Sequence, residues 1–179
     1  MIIDTHQALR RGSRYSPGKP LLRAPTSADG LTLSANVTVT PAVRRGRRCW
    51  EVTVPAEAAA KNIIFPITSG VYTDKIGMTI EVEDALQWNG GNFRLGLYTS
   101  SGITVGMRYI LVIGSSNAWT GVKQIAPRSA DWAAVGGGSW ASTMTHCAIT
   151  FVRGSNPAPT VPTKFWVYDV AEGERNTLP

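Results

Sequence analysis

The strictest constraint on this chain is a side-chain alternation of period two that returns along its length, while no segment sustains the 3.6-residue period of a helix. From Leu31 to Thr40, Leu31, Leu33, Ala35, Val37 and Val39 alternate with Thr32, Ser34, Asn36, Thr38 and Thr40. Successive side chains of a strand point to opposite faces, so the pattern predicts one half-buried strand with a threonine-rich outer face. Arg44 to Arg48 form a basic turn into a second strand, where Trp50, Val52 and Val54 alternate with Cys49, Glu51 and Thr53 before Pro55 ends it.

The same period recurs downstream. Met78, Ile80 and Val82 alternate with Thr79, Glu81 and Glu83, which puts both glutamates on the solvent side. Trp88, Asn89, Gly90, Gly91 and Asn92 then supply turn chemistry before Phe93, Leu95 and Leu97 resume the alternation, a pattern that predicts a hairpin. Tyr109 to Ile113 and Cys147 to Val152 are apolar runs of strand length, Val122 to Ile125 is a weaker strand candidate, and Lys164 to Val170 reads as the last strand. Pro66 inside the run Asn62 to Ile67 suggests an edge position or a bulge. The segment AEAAAK forms at most one helical turn, being too short to be stable alone. Eight or nine strands without a long helix imply an all-β fold, an antiparallel β-sandwich of jelly-roll-like type.

Domain organisation follows from where this pattern starts. Residues 1–30 carry Pro17, Pro20 and Pro25 and hold neither period, so they read as an extended basic arm; 31–175 form the sandwich, and 176–179 a tail or the start of a linker. The net charge of +6 is regional: up to Arg48 there are nine basic residues against two acidic ones, and the remainder holds nine against ten. Such an arm suits a solvated segment, an acidic face of another subunit or an anionic polysaccharide. Nucleic acid is disfavoured, because only Tyr15 is interleaved with the arginines. No secretory signal is read at the N-terminus, where Asp4, His6 and Gln7 interrupt any apolar run, and no stretch approaches membrane-spanning length. The expectation is a water-soluble chain made in a cytoplasm. Cys49 and Cys147 allow at most one disulfide, and both fall in predicted strands, where a thiol serves as core filling.

Catalytic raw material is thin. Asp4 and His6 lack a third metal ligand nearby, and His146 reads as a strand-end residue. Gly137 to Ala141 approach a nucleophile elbow but lack its last glycine and its strand-to-helix setting. No phosphate-cradling loop is present. We expect no catalytic site, no metal and no cofactor.

The six tryptophans are unevenly placed. Trp50 and Trp166 fall in strands, but Trp119, Trp132 and Trp140 lie in the long stretch between Gly114 and His146, and loops of that length usually have a job. Each indole must pack back on the sheet or present a face to a ligand. Sugars suit such a face, with C–H groups stacked on indole and hydroxyls held by polar side chains. The candidate ligand-binding set is therefore Trp119, Trp132 and Trp140 with Asn117, Gln124, Arg128 and Asp131, and, in the turn, Trp88 with Asn89 and Asn92. The alternative is a satellite core beneath the loop.

The opening strand LTLSANVTVT, the strand RCWEVTVP and the closing KFWVYDVAEGER together resemble the carbohydrate-binding-module-like jelly-roll domains of bacteriophage tail fibres and tailspikes. That resemblance covers about residues 31–175. It implies recognition of bacterial surface polysaccharide, or structural packing in a trimeric tail appendage with other virion tail subunits or protomers as partners, and hence a place in the virion tail. The deacetylase and esterase motifs that accompany such domains are missing here, so the implied role is non-catalytic, with an accessory domain of a polysaccharide-modifying enzyme as the further alternative.

Overall fold

The computed structural model of the chain describes residues 19–113, 119–154 and 158–173. It is an antiparallel β-sandwich of jelly-roll type, built from two six-stranded sheets. The first sheet runs in the order β3 (Thr38–Arg44), β4 (Arg47–Val54), β12 (Thr163–Glu172), β6 (Ile76–Val82) and β9 (Gly121–Ile125), with β1 (Lys19–Pro20) paired to the far end of β12. The second runs β10 (Trp132–Val135), β8 (Gly106–Val112), β7 (Asn92–Tyr98), β11 (Met144–Val152), β5 (Lys61–Gly70) and β2 (Thr32–Leu33). Strands are numbered along the chain.

The core forms where the two inner faces meet. Trp50, Val52 and Val54, Met78, Ile80 and Val82, and Phe165, Val167 and Val170 come from the first sheet; Ile63, Phe65, Phe93, Leu95, Leu97, Ile149 and Phe151 come from the second. At its centre the Phe165 ring lies 5.1 Å from both Phe93 and Phe151. Each such side chain contributes about 1.5–3 kcal/mol through removal from water.

Three sequence expectations are corrected. The alternation from Leu31 to Thr40 is two strands in different sheets: β2 pairs with β5 and β3 with β4, and between them Asn36 takes φ 64°, a left-handed conformation that asparagine tolerates. The pattern survives because both pieces turn their apolar residues inward. The Met78–Leu97 segment is not a hairpin. β6 pairs with β12 and β9, and β7 with β11 and β8, so the short 3-10 segment Ala85–Trp88 carries the chain from one sheet to the other. Glu81 is not solvated but 1% exposed, for reasons given below. AEAAAK is not helical, and Lys61 already belongs to β5. Pro66 pairs with His146, where the β11–β5 register shifts.

Leu21 and Leu22, within the stretch read as an arm, are buried against the core, and the Leu21 amide donates to the Val170 carbonyl at 2.8 Å. Residues 1–18 lie outside the described residues. Both cysteines are free and buried; Cys147 sits in the main core, where burial pushes its thiol up to about 12.

Candidate functional site

β9 and β10 each stand at one edge of their sheet, and residues 126–131 link them across the side of the sandwich. Trp132 opens β10 opposite Tyr109 of β8, with ring centroids 6.2 Å apart. After β10 the chain reverses through Gly136 (φ 56°) and Gly137 (φ 77°). It passes so close to the start of β8 that a Cβ on Gly136 would stand 2.1 Å from the Thr104 carbonyl oxygen, and one on Gly138 2.4 Å from the Gly106 nitrogen. Only glycine fits there. The reversal lays Trp140 edge-on against Trp132, with centroids 5.0 Å apart at 79°.

Polar groups stand beside this pair. The Arg128 amide donates to Asp131 Oδ2 at 2.7 Å, and the Arg128 guanidinium faces Asp131 Oδ1 at 3.5 Å, fixing the 3-10 turn that leads into Trp132. Burial, and next to it the Asp131 charge, raise the Tyr109 phenol above its ordinary value. Further along the same inner row, Trp119 packs on Phe93 at 6.2 Å, and Lys123 Nζ lies 4.4 Å from the Trp119 ring centroid. Phe93 is the cross-strand partner of Leu111, two residues from Tyr109, so Leu111 separates the Trp119–Phe93 pair from Tyr109, Trp132 and Trp140.

The structure therefore brings together Trp132, Trp140, Arg128 and Asp131, with Trp119 at the adjoining edge. Trp132 is 8% exposed and packs with the core, whereas Trp119 and Trp140 are half-buried. Among the described residues, the buried indole N–H groups of Trp88, Trp119 and Trp132 have no hydrogen-bond partner. Tyr109, which packs beside Trp132, was hidden in sequence within an apolar run.

The remaining candidates lie elsewhere. Trp88 is a correction: it is completely buried, 4.6 Å from Phe93 and 5.6 Å from Phe165, and offers no face to a ligand because the 3-10 segment turns it between the sheets. Asn89 is half-buried, its carbonyl pressed against Gly154. Asn92 is turned away from the core and accepts from Arg94 Nε at 2.8 Å. Gln124 pairs across to Thr79 in the first sheet. Asn117 lies outside the described residues. Among the described residues, no group of three or more His, Cys, Asp or Glu could hold a metal ion.

A second polar and aromatic surface was not read from the sequence. On the outer face of the first sheet, Cys49, Trp166 and Tyr168 form a small buried cluster. The hairpin between β3 and β4 turns at Arg45 and Gly46, both with positive φ, and its arginines reach over this cluster. Arg44 and Arg45 pair with Glu81 at 3.0 and 3.2 Å, the Tyr168 hydroxyl donates to Glu81 Oε2, and Arg47 pairs with Asp169 at 3.0 Å. Burial pushes the Glu81 carboxyl up, but the hydrogen bonds from Tyr168, Arg45 and Arg44 outweigh it and hold the group below its ordinary value. Burial and the bond to Glu81 push Tyr168 up to about 12. The Arg44–Arg48 run and the Trp166–Tyr168 spacing were visible in the sequence; their meeting was not.

No protein-family model matches the chain, and no curated protein matches it in sequence. Solved structures do share its fold. A carbohydrate-binding module specific for non-crystalline cellulose aligns over 88% of this chain and 97% of its own at 13% identity, with a TM-score of 0.52. One of the carbohydrate-binding modules of the β-sandwich superfamily, described as promiscuous in specificity, aligns over 87% of this chain and 62% of its own at 12% identity, with a TM-score of 0.51. The enzymatically active domain of a bacteriophage CBA120 tailspike aligns over 82% of this chain and 20% of its own at 14% identity, and its TM-score of 0.46 supports no argument. At these identities the likeness establishes the sandwich fold alone.

Proposed function

We propose that the chain is a non-catalytic glycan-binding module whose contact surface is offered by the half-buried indoles of Trp140 and Trp119, with Trp132 and Tyr109 packed beside Trp140 as its backing. The observation that carries this reading is the edge-on Trp132–Trp140 pair standing beside the Arg128–Asp131 ion pair. An apolar floor with a few fixed polar groups is the composition of a small-molecule site. Pyranose C–H faces stack on the half-buried indoles of Trp119 and Trp140, and Arg128 and Asp131 serve the hydroxyls. The fold agrees with this reading, since neighbours of the same architecture are carbohydrate-binding modules.

The finer role is recognition of bacterial surface polysaccharide from a phage tail fibre or tailspike, in a trimeric assembly. It is supported by the resemblance of the segments LTLSANVTVT, RCWEVTVP and KFWVYDVAEGER. A structural or attachment module is the second reading, favoured by the nine basic residues up to Arg48, which suit an acidic neighbouring subunit.

Trp140→Ala tests the first reading. On an array of bacterial polysaccharides the variant should lose about tenfold in affinity while its circular dichroism stays that of the parent. Unchanged binding by Trp140→Ala, or an array on which the parent binds nothing, would sink it.

A further inference from the structure

A groove of about 380 Å³ lies far from the aromatic row, between the segment ahead of β2 and the β3–β4 hairpin, lined by Pro25, Thr26, Pro41, Ala42, Val43 and Arg48. We infer that it is a second glycan subsite that takes the carboxylate of an acidic sugar residue, with Arg48 as its anchor; this rests on the glycan-binding reading above.

The charge pattern of the hairpin singles out Arg48. Arg44 and Arg45 are committed to Glu81, and Arg47 to Asp169. Among the described residues the Arg48 guanidinium has no ion pair or hydrogen bond, so two carboxylates face four guanidinium groups and the surplus charge falls at the groove. A guanidinium fork matches a carboxylate in two parallel hydrogen bonds, which a neutral sugar cannot offer.

The rest of the groove suits a ring carrying that carboxylate. Val43, the cross-strand partner of Arg48, is 72% exposed, and with Pro25 and Pro41 it offers an apolar floor to pyranose C–H groups. Thr26 adds a hydroxyl. One wall is set before any ligand arrives: Arg23 Nη2 donates to the Ser27 carbonyl at 2.8 Å and to that of Asp29, and Ser27 Oγ donates to Asp29 Oδ2 at 2.5 Å. Preorganisation of this kind lowers the ordering cost of binding. The volume falls within the range of small-ligand sites.

The test uses the full chain, Arg48→Gln and, as a control for general charge, Lys75→Gln, each titrated against uronic-acid-containing and neutral bacterial polysaccharides. The parent should prefer the acidic set, Arg48→Gln should lose about tenfold on that set alone, and Lys75→Gln should match the parent. Binding of neutral glycans without an acidic preference would overturn the subsite and spare the glycan reading. An acidic preference that survives Arg48→Gln, or falls equally in Lys75→Gln, would overturn the assignment to this groove. Binding to neither set would remove both proposals.

Discussion

Arg44 holds its guanidinium 3.5 Å from the ring centroid of Trp166 while its Nη2 meets Glu81 Oε1 at 3.0 Å. Arg44 comes from the edge strand β3 and Glu81 from β6, with β4 and β12 between them in the sheet. The hairpin tip is therefore drawn across the outer face, where it covers Trp166 and buries a carboxylate that alternation alone would leave in water. Such stacking of arginine on indole adds cation–π attraction to the ion pair.

Glu81→Gln should weaken the fold. The neutral amide cannot satisfy Arg44 and Arg45 together, and it loses the charge-assisted bond from Tyr168. Because both arginines keep some contact with water, the cost should be about 2 kcal/mol, below that of breaking a fully buried pair. Urea denaturation reads it as a lower midpoint at unchanged slope. An unchanged midpoint would show that the hairpin is held by stacking alone.

The same groups set an acid limit. Glu81 is held below its ordinary value by the bonds described above; Glu51 is lowered first by the bond from Lys164, against burial, with a further bond from Trp166. A carboxyl depressed in the folded state contributes stability that is present above its unfolded value, about 4.3, and is lost as pH falls through the folded value. Melting temperature should therefore be insensitive to these two groups near neutrality and fall below about pH 4.3. Glu81→Gln should flatten part of that fall, which melts between pH 3 and 7 would show.

Alternation made the sandwich legible because a buried inner face leaves its mark on every strand. It could not tell which strands share a sheet. Met78–Val82 and Phe93–Leu97 carry the same pattern whether they pair with each other or face each other across the core, and the turn residues between them suit either outcome. Nor does the pattern say what covers an outer face: Glu81 is buried by arginines 36 and 37 residues away in the chain. For the site, the loop tryptophans were visible by composition. The separation of Trp88 from Trp132 and Trp140 depended on one short 3-10 segment turning inward.

Arg153 is a buried arginine used as a tie. It is 1% exposed; Nη1 donates to the carbonyls of Pro55 at 2.9 Å and Val161 at 2.6 Å, and Nη2 to Gln87 Oε1 at 2.5 Å. Three segments distant in sequence meet on one guanidinium. Arg153→Met keeps the volume but strands their acceptors, and should cost about 3 kcal/mol in urea denaturation. Arg153→Lys should recover only part of this, since one ammonium group cannot copy the planar fork. Full recovery by lysine would show that charge, not geometry, is what the three segments require.

The amino-terminal boundary yields the last prediction. β1 pairs Lys19 with Glu172 and Pro20 with Ala171, and Leu21 and Leu22 follow directly into the core. A truncation that stops before Lys19 keeps this pairing and burial, whereas one that runs through Arg23 removes both, together with the Arg23 bonds that shape the wall of the Arg48 groove. Two leucines taken from the core correspond to about 3–6 kcal/mol of lost burial. The longer truncation should therefore melt well below the shorter one, and comparison of the two melting temperatures measures the difference directly. It also decides how the attachment reading must be examined: loss of partner binding in the longer truncation would report a damaged sandwich, so only the shorter one isolates the charge of the preceding residues. Equal melting temperatures would mean that β1 adds nothing to the first sheet, and the domain would then begin after Arg23.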